Sequence, residues 1–476
     1  MISKWFVKKW GSAMPELKMS EIAIAVSGTV NPGFSGMTFT DFQFDTRRMK
    51  PGSLFFALRS PTGDGHDHVR ELASMPGAGA VVRKDFAAGG LTLPLLRVRD
   101  PLRAAQDLAA HVREKLRALK YVGITGSAGK TTTKEFVHQI LSRKFRCYRS
   151  PQNWNNWIGL PFSLLQLSGD EEVAVFELAM SDPGIGEIDR LAAILRPDIA
   201  VLLNVYPVHL EFLGTLARAA RAKGEILGHL AADGCAFVNG DLPLLRREVS
   251  LRKGQIILFG SRPAPNQIVL KKIIREREGS RLRIGFFGID AEFTAPLISR
   301  THVENLFAAI LVVQRLGMKN HEIQEALSAL RLLSGRGQIR RQGKFTIIDE
   351  TYNSNPEALK KTLQWVDGEY RLKKTAVLGD MLELGKDELR FHREVGRFFA
   401  GLHFDLLLTV GRRAESIAVA ARRAGYPARR IHCFVDAAEA GNFLRRELDP
   451  GKGGALLFKG SRGMALEKAI AEFAHG

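Results

Sequence analysis

The stretch from Tyr121 to Leu141 restricts the possible folds more than any other. Tyr121-Val122-Gly123-Ile124 is apolar enough to be a buried strand. After Thr125 it runs into Gly126-Ser127-Ala128-Gly129-Lys130-Thr131-Thr132-Thr133. Glycines at 126 and 129 let the backbone curl so that its N–H groups converge. Lys130 adds a cation, and Thr131 adds a hydroxyl of the kind that suits Mg²⁺. Lys134 to Leu141 follows with apolar residues at 136, 137, 140 and 141, the spacing of a helix. Strand, glycine loop, Lys-Thr and helix form a phosphate cradle at a helix N-terminus. The usual motif has a glycine five positions before the second glycine; Ile124 stands there, so this is a shortened Gly-x-x-Gly-Lys-Thr form. A plain glycine turn entering a helix is the simpler alternative. The agreement of all three elements favours nucleotide binding.

A chain of 476 residues has room for about three domains around such a unit. With 45% hydrophobic and 25% charged residues it has the balance of a soluble globular protein. No apolar run approaches the ~18 residues that span a bilayer. Met1 to Trp10 is basic and aromatic, without a signal-peptide core or a small-residue cleavage site. Residues 1–13 read as an extension with at most peripheral contact to an anionic membrane surface, and Met14 is an alternative start. Cys147, Cys235 and Cys433 are far apart and form no CxxC pair, which argues against a disulfide framework or cysteine zinc site and fits a reducing cytosol. The net charge of +19 favours anionic partners in general. No basic run interleaved with aromatics lies beyond the N-terminus, so anionic nucleotides are expected rather than nucleic acid.

Residues up to about 104 read as a small α/β unit. Ser53 to Leu58 and Gly79 to Val82 are its strands, with a loop at Gly63 to Asp67 and a helix at Val69 to Ala73. Asp45-Thr46-Arg47 reads locally as a capped turn, although a cation beside backbone donors also suits a diphosphate. In the central segment, Asn153, Asn155 and Asn156 crowd a loop bounded by Gly159 and Pro161, more amides than turn chemistry needs. Val173 to Leu178 is a strand carrying Glu177 near its end, where α/β sheets bind ligands; this makes Glu177 a candidate Mg²⁺ ligand. Pro197 to Val205 is a second buried strand, followed by His209-Leu210-Glu211 and a helix over 216–227. His209 leaves the same sheet edge as Glu177. Lys223, taken alone, is a solvated helix lysine. Residues 235–300 read as short strands and turns, and Thr301 to Ile310 opens an apolar helix.

Beyond about residue 334, four apolar strands alternate with helices, ending near Asp349, Gly379, Gly411 and Lys459. That alternation predicts a parallel, Rossmann-like sheet. Without a Gly-x-Gly-x-x-Gly after a strand, a dinucleotide redox site is not expected.

Together these runs resemble the Mur ligases, ATP-dependent amide-bond enzymes of peptidoglycan precursor synthesis. The resemblance covers about residue 16 to the C-terminus. It rests on Gly126-x-x-Gly-Lys-Thr-Thr132, Asn153 to Pro161, Glu177, His209-Leu-Glu211 and Lys223. It rests also on Asp349-Glu-Thr-Tyr-Asn-Ser-Asn-Pro356 and Gly379-Asp-Met-Leu-Glu-Leu-Gly385. Those last two runs resemble the branch that joins D-alanyl-D-alanine to UDP-N-acetylmuramoyl-tripeptide.

The resemblance implies an α/β chain of three domains: 1–104 for the UDP-substrate, 105–333 for ATP on a mostly parallel sheet, and a mobile Rossmann-like domain over 334–476. It implies a cytoplasmic monomer that uses ATP and Mg²⁺. Gly126, Ser127, Ala128, Gly129, Lys130, Thr131 and Thr132 would hold ATP, with Asn305, Arg336 and Asp349 reaching the nucleotide. Thr131, Glu177, His209 and a carbamylated Lys223 would form the metal site, which reverses the isolated reading of Lys223. Lys130, Glu177, His209, Lys223 and Arg336 would carry the catalysis. Asp45, Thr46 and Arg47 would meet the uridine nucleotide. Beside what the resemblance implies, the amide cluster of Asn153, Asn155 and Asn156 suits a polar substrate, and the two C-terminal loops, each after an apolar strand and so on one sheet edge, make Asn353, Asn355 and Asp380 the candidates for the dipeptide. The family's His-Asn-x-x-Asn becomes Thr301-His302-Val303-Glu304-Asn305, keeping only the last asparagine. The alternatives are a sister or folylpolyglutamate synthase-like ligase adding one amino acid, or a nucleotide-binding regulator without catalysis.

Overall fold

The structure, a computed structural model, describes residues 16–61, 63–151, 153–180, 186–206, 215–250, 254–264, 266–276, 279–296 and 300–474. The expected extension at 1–13 and the run His209-Leu210-Glu211 lie outside the described residues, as does the side chain of Thr301. Three sheets carry the architecture.

The N-terminal sheet has strands β1 (Thr29–Val30), β2 (Asp41–Gln43), β3 (Ser53–Phe56), β4 (Gly79–Arg83) and β5 (Leu95–Val98), in the order β1-β5-β4-β3-β2. All neighbours are parallel except β1 and β5. The expected loop at 63–67 and helix at 69–73 are corrected here: Gly63–Asp64 pairs with Arg59–Ser60, and a 3-10 helix runs over Gly65–Ser74. The Asp64 carboxylate explains the tighter turn. It accepts from the His66 backbone N–H at 3.0 Å and from the His66 ring at 2.6 Å, holding the first residues of the helix close. Helix α1 (Pro101–Lys115) then leads into the central segment, capped by Asp100 with proline at its first position.

The central sheet contains β6 (Lys120–Thr125), β7 (Cys147–Arg149), β8 (Val173–Glu177), β9 (Ile199–Leu202), β10 (Cys235–Asn239) and β11 (Gln255–Gly260), followed by β12 (Ile268–Arg275), β13 (Gly279–Phe286) and β14 (Ile289–Pro296). Their order is β7-β8-β6-β9-β10-β11-β12-β13-β14. The chain leaves β6 through helix α2 (Lys130–Leu141) towards β7 and β8, then crosses back to β9 on the other side. This reversal opens a crevice at the carboxyl ends of β6, β8 and β9. Register places Ile124 opposite Glu177 and Thr125 opposite Leu202, so the phosphate loop, Glu177 and the loop after β9 emerge at one level. Phe136, Val137 and Ile140 of α2 are fully buried, each worth about 1.5–3 kcal/mol of apolar transfer.

The expectation of short strands and turns over 235–300 is also corrected. A helix, α4 (Pro243–Ser250), intervenes, and β12, β13 and β14 form a long antiparallel meander. Its two faces follow the strand period of two: Leu282, Ile284 and Phe293 point inward, while Arg283–Glu292 and Lys271–Asp290 pair on the outer face. The helix expected over 216–227 is α-helical over Leu216–Gly224 (α3) and becomes a 3-10 turn over Glu225–His229. Helix α5 (Arg300–Arg315) covers the sheet beside α2.

The third sheet has β15 (Gln338–Gln342), β16 (Phe345–Glu350), β17 (Lys374–Gly379), β18 (Leu406–Val410), β19 (Ile431–Phe434) and β20 (Gly454–Lys459), in the order β15-β16-β20-β17-β18-β19. It is parallel apart from the antiparallel edge strand β15. Helix α6 (Pro356–Glu369) follows β16. The loops after β16, β17 and β20 leave the same edge. They are tied together: Lys459 donates to the Asn353 carbonyl at 3.1 Å, and the Leu382 N–H donates to the Ser461 hydroxyl at 2.9 Å. Aromatic contacts join the first two segments, with Phe44 packed against Trp154 and Phe162 at centroid distances of 5.5 and 4.7 Å. No helix among the described residues is long and apolar enough to cross a membrane.

Candidate active site

The phosphate loop joins β6 to α2 by a turn that only glycine takes easily. Gly129 precedes the helix at φ +82°, and a side chain there would run into the Asn305 carboxamide of α5. Asn305 therefore sits directly over the loop. Lys130 turns back to donate to the Gly126 carbonyl at 2.9 Å. Thr132 is buried in the first turn of α2.

Glu177 is buried at the end of β8 and accepts two hydrogen bonds: from the Thr131 hydroxyl at 2.7 Å and from the Asn155 amide at 2.9 Å. Asn156 instead accepts from the N–H groups of Ile158 and Gly159, shaping the start of a short helix. Asn153 is exposed. Of the three asparagines, one serves Glu177, one serves the loop, and one is free to face solvent.

Lys223 is buried, 4% exposed, although its helix sequence alone reads as solvated. Burial, with the like charge of Lys130, pushes its pKa down to about 7. Burial also lowers the Lys130 pKa; Arg336 adds to that effect and Glu177 opposes it. These four groups thus lie within one electrostatic neighbourhood.

The third segment reaches this neighbourhood through the turn before β15. Arg336 stacks on Tyr352 at 3.6 Å from the ring centroid. The buried Asp349 carboxylate accepts from the Gly335 N–H at 3.1 Å and from the Thr351 hydroxyl at 2.7 Å, so it shapes the turn that presents Arg336. Asn355 caps α6 through its carboxamide oxygen, accepting from the Ala358 N–H at 2.9 Å. Asp380 is buried and accepts from the Ala414 N–H at 2.7 Å, with Arg413 at 3.7 Å. Asn353 accepts from the Ser354 N–H and is the exposed member of this set. Asp45 caps a 3-10 turn that includes Thr46, and it holds Arg47 through contacts of 2.7 and 2.8 Å. That pair is exposed and contributes little to stability, but Arg48 beside it lies over Trp154 at 5.4 Å, at the edge of the asparagine loop.

Sequence reasoning missed several residues. Asn204, just beyond β9, clamps the phosphate loop by accepting from the Ala128 N–H at 2.8 Å and donating to the Ala128 carbonyl at 3.0 Å. An asparagine straight after a buried strand beside a phosphate loop was the available signal. Lys134 is fully buried and donates to the Ser150 carbonyl at 2.7 Å, anchoring the base of the asparagine loop. No local pattern marks that lysine, because its position facing Ser150 arises from the crossover to β7. His302 departs from the family motif and is buried against Gly337, whose φ is +73° and where a side chain would strike the imidazole. Burial pushes the His302 pKa down to about 4; Lys459 and Arg336 add to that and Glu350 opposes it. Burial alone would raise the Glu350 carboxyl, but Lys459 at 2.8 Å, together with His302 and the Thr362 hydroxyl, more than offsets it.

Two family models match the chain: "Mur ligase middle domain" over residues 124–313 and "Mur ligase, glutamate ligase domain" over residues 335–462. A relative from Bacillus subtilis, UDP-N-acetylmuramoyl-tripeptide--D-alanyl-D-alanine ligase, is 32% identical over 455 residues, covering 95% of this chain and 97% of its own. A crystal structure of MurF from Acinetobacter baumannii superposes with a TM-score of 0.85 at 26% identity, covering 98% of this chain and 100% of that one. The MurF ligase of Thermotoga maritima in complex with ADP superposes with a TM-score of 0.80 at 28% identity, covering 91% and 97%.

Proposed function

The chain belongs to the Mur ligase family, and from that premise we propose that it joins D-alanyl-D-alanine to UDP-N-acetylmuramoyl-tripeptide at the expense of ATP. The observation that carries this reading is the construction of the phosphate loop: the Thr131 hydroxyl donates to Glu177 at 2.7 Å, Asn204 clamps Ala128, and Asn305 lies over Gly129.

A carboxylate is a poor electrophile and must be activated before an amine can attack it. In the proposed reaction the terminal carboxylate of the tripeptide takes the γ-phosphoryl group of ATP, forming an acyl phosphate and releasing ADP. The dipeptide amine then attacks the acyl carbon, a tetrahedral intermediate forms, phosphate leaves, and the nitrogen gives up its proton. Lys130 and the loop N–H groups hold the phosphates and offset the charge that develops on the transferring group. Arg336 brings a second cation from the third segment, so docking of that segment completes the charge balance and excludes the water that would hydrolyse the acyl phosphate.

The donor set fits Mg²⁺. Among the described residues no three His, Cys, Asp or Glu side chains gather into a cage. Mg²⁺ does not require one, because it keeps waters and phosphate oxygens and takes one or two protein oxygens. The Thr131 hydroxyl and the Glu177 carboxylate, 2.7 Å apart, are such oxygens. A carbamylated Lys223 would supply anionic oxygens in place of an amine, and a pKa near 7 leaves much of the amine neutral, the form that reacts with CO₂. When bound, the metal would neutralise phosphate charge. The acceptor is assigned to the loops after β16 and β17. Asn353 offers the exposed amide there, while Asn355 and Asp380 hold the loops in shape.

Phosphate release from ATP, measured with UDP-N-acetylmuramoyl-tripeptide in the presence and absence of D-alanyl-D-alanine, tests the reading. Sustained turnover is expected only with both. Equal turnover with a single amino acid in place of the dipeptide would overturn it in favour of a sister ligase.

A further inference from the structure

Lys361 lies on α6, about one and a half turns beyond the Asn355 cap, and is exposed. Its ammonium donates to the Tyr206 hydroxyl at 2.8 Å and lies 4.2 Å from the centroid of that ring. Its neighbour Lys360 pairs with Glu357 at 3.0 Å, whereas Lys361 makes no ion pair among the described residues. Tyr206 is at the other end of a short relay. Its backbone N–H donates to the Ser127 hydroxyl at 2.9 Å, and that hydroxyl donates to the Tyr206 carbonyl at 3.3 Å. The Ser127 N–H donates to the Asn204 carbonyl at 3.1 Å. Ser127 belongs to the phosphate loop, and α6 begins at the loop that carries Asn353. A single helix therefore links the candidate acceptor loop to the phosphate loop through one side-chain pair.

We propose that Lys361 and Tyr206 are positioning residues for the ligation: their contact holds the phosphate loop in its binding shape when the third segment docks. The proposal rests on the reading of that loop as the ATP site. A helix transmits displacement with little loss over two turns, so a shift at its capped N-terminus moves Lys361 with it. The phenol hydroxyl meets no other partner among the described residues than Lys361. Its removal should therefore matter only while that lysine is present.

The test is a double-mutant cycle in the full-length chain with Lys361→Gln, Tyr206→Phe and the double variant, and Lys361→Arg as the conservative control. Lys361→Gln is expected to raise the KM for ATP about fivefold while leaving the KM for the UDP-substrate within about twofold. Tyr206→Phe is expected to raise the KM for ATP by a smaller factor, because the ring face remains. The double variant should be no worse than Lys361→Gln, and Lys361→Arg should restore most of the loss. Additive effects in the double variant, an unchanged KM for ATP in Lys361→Gln, or a change that tracks a fall in melting temperature would each overturn the proposal. A wild-type chain that releases no phosphate from ATP would instead overturn the reading of the loop, and this proposal with it.

Discussion

Lys223 and His302 are both buried bases with lowered pKa values, and they serve different ends. Lys223 lies beside Lys130, where a permanent second cation would be unfavourable. Carbamylation would reverse its charge. Lys223→Ala is expected to lose most activity and to regain part of it with added short carboxylic acids, measured by phosphate release; full activity without the additive would refute the modification. His302 instead fills the space over Gly337, between α5 and the third sheet. Its ring is neutral when folded down to about pH 4, against an ordinary value of 6.5. Between those values the unfolded chain binds a proton that the folded chain does not, so stability is present above 6.5 and is lost as pH falls through 4. At about 1.4 kcal/mol per pKa unit the loss reaches about 3 kcal/mol. Glu350, Lys459 and Arg336 face the ring and share in the titration. Melting temperatures taken from neutral to acid pH should fall less steeply in His302→Gln than in the wild type, and parallel curves would exclude the role.

At the scale of elements, the loop between β6 and α2 depends on Gly129 twice. Its φ of +82° disfavours any other residue, and Asn305 occupies the space a side chain would need. Gly129→Ala is therefore expected to displace Asn305 or distort the turn, raising the KM for ATP about tenfold or more. The KM for D-alanyl-D-alanine should stay near the wild-type value. Unchanged ATP kinetics would show that the turn and Asn305 accommodate a methyl group. The meander β12 to β14 shows what a local reading can miss. Its residues alternate between Leu282, Ile284 and Phe293 on one face and Arg281, Arg283 and Glu292 on the other. That alternation is legible in the sequence. Glycines and prolines around it suggest turns, and the weaker period of two was lost among them.

At the scale of the whole molecule, the loops after β16, β17 and β20 share one sheet edge, and Lys459 and Ser461 bind them together. The exposed Asn353 sits in this cluster, while Asn355 and Asp380 are committed to α6 and to the Ala414 N–H. Asn353→Ala is expected to raise the KM for D-alanyl-D-alanine more than those for ATP or the UDP-substrate. A rise confined to the UDP-substrate would move the acceptor elsewhere. Much of this arrangement was legible in advance. The phosphate loop, Glu177 at a strand end and the two C-terminal loops each depend on residues within a few positions of one another, and local spacing therefore reports them. The strand-loop-helix unit follows from the sequence alone because its glycines, its Lys-Thr pair and its helical apolar spacing are all contiguous. Other features were set only by the fold. Asn204 clamps Ala128 from 76 positions away, Lys361 meets Tyr206 across 155, and Lys223 is buried on a helix that packs against the helices over Glu187–Leu195 and Pro243–Ser250. Contacts between such distant residues have no local period or motif. Which side chains lose their water, and which charges then face one another, was decided when the three sheets packed together.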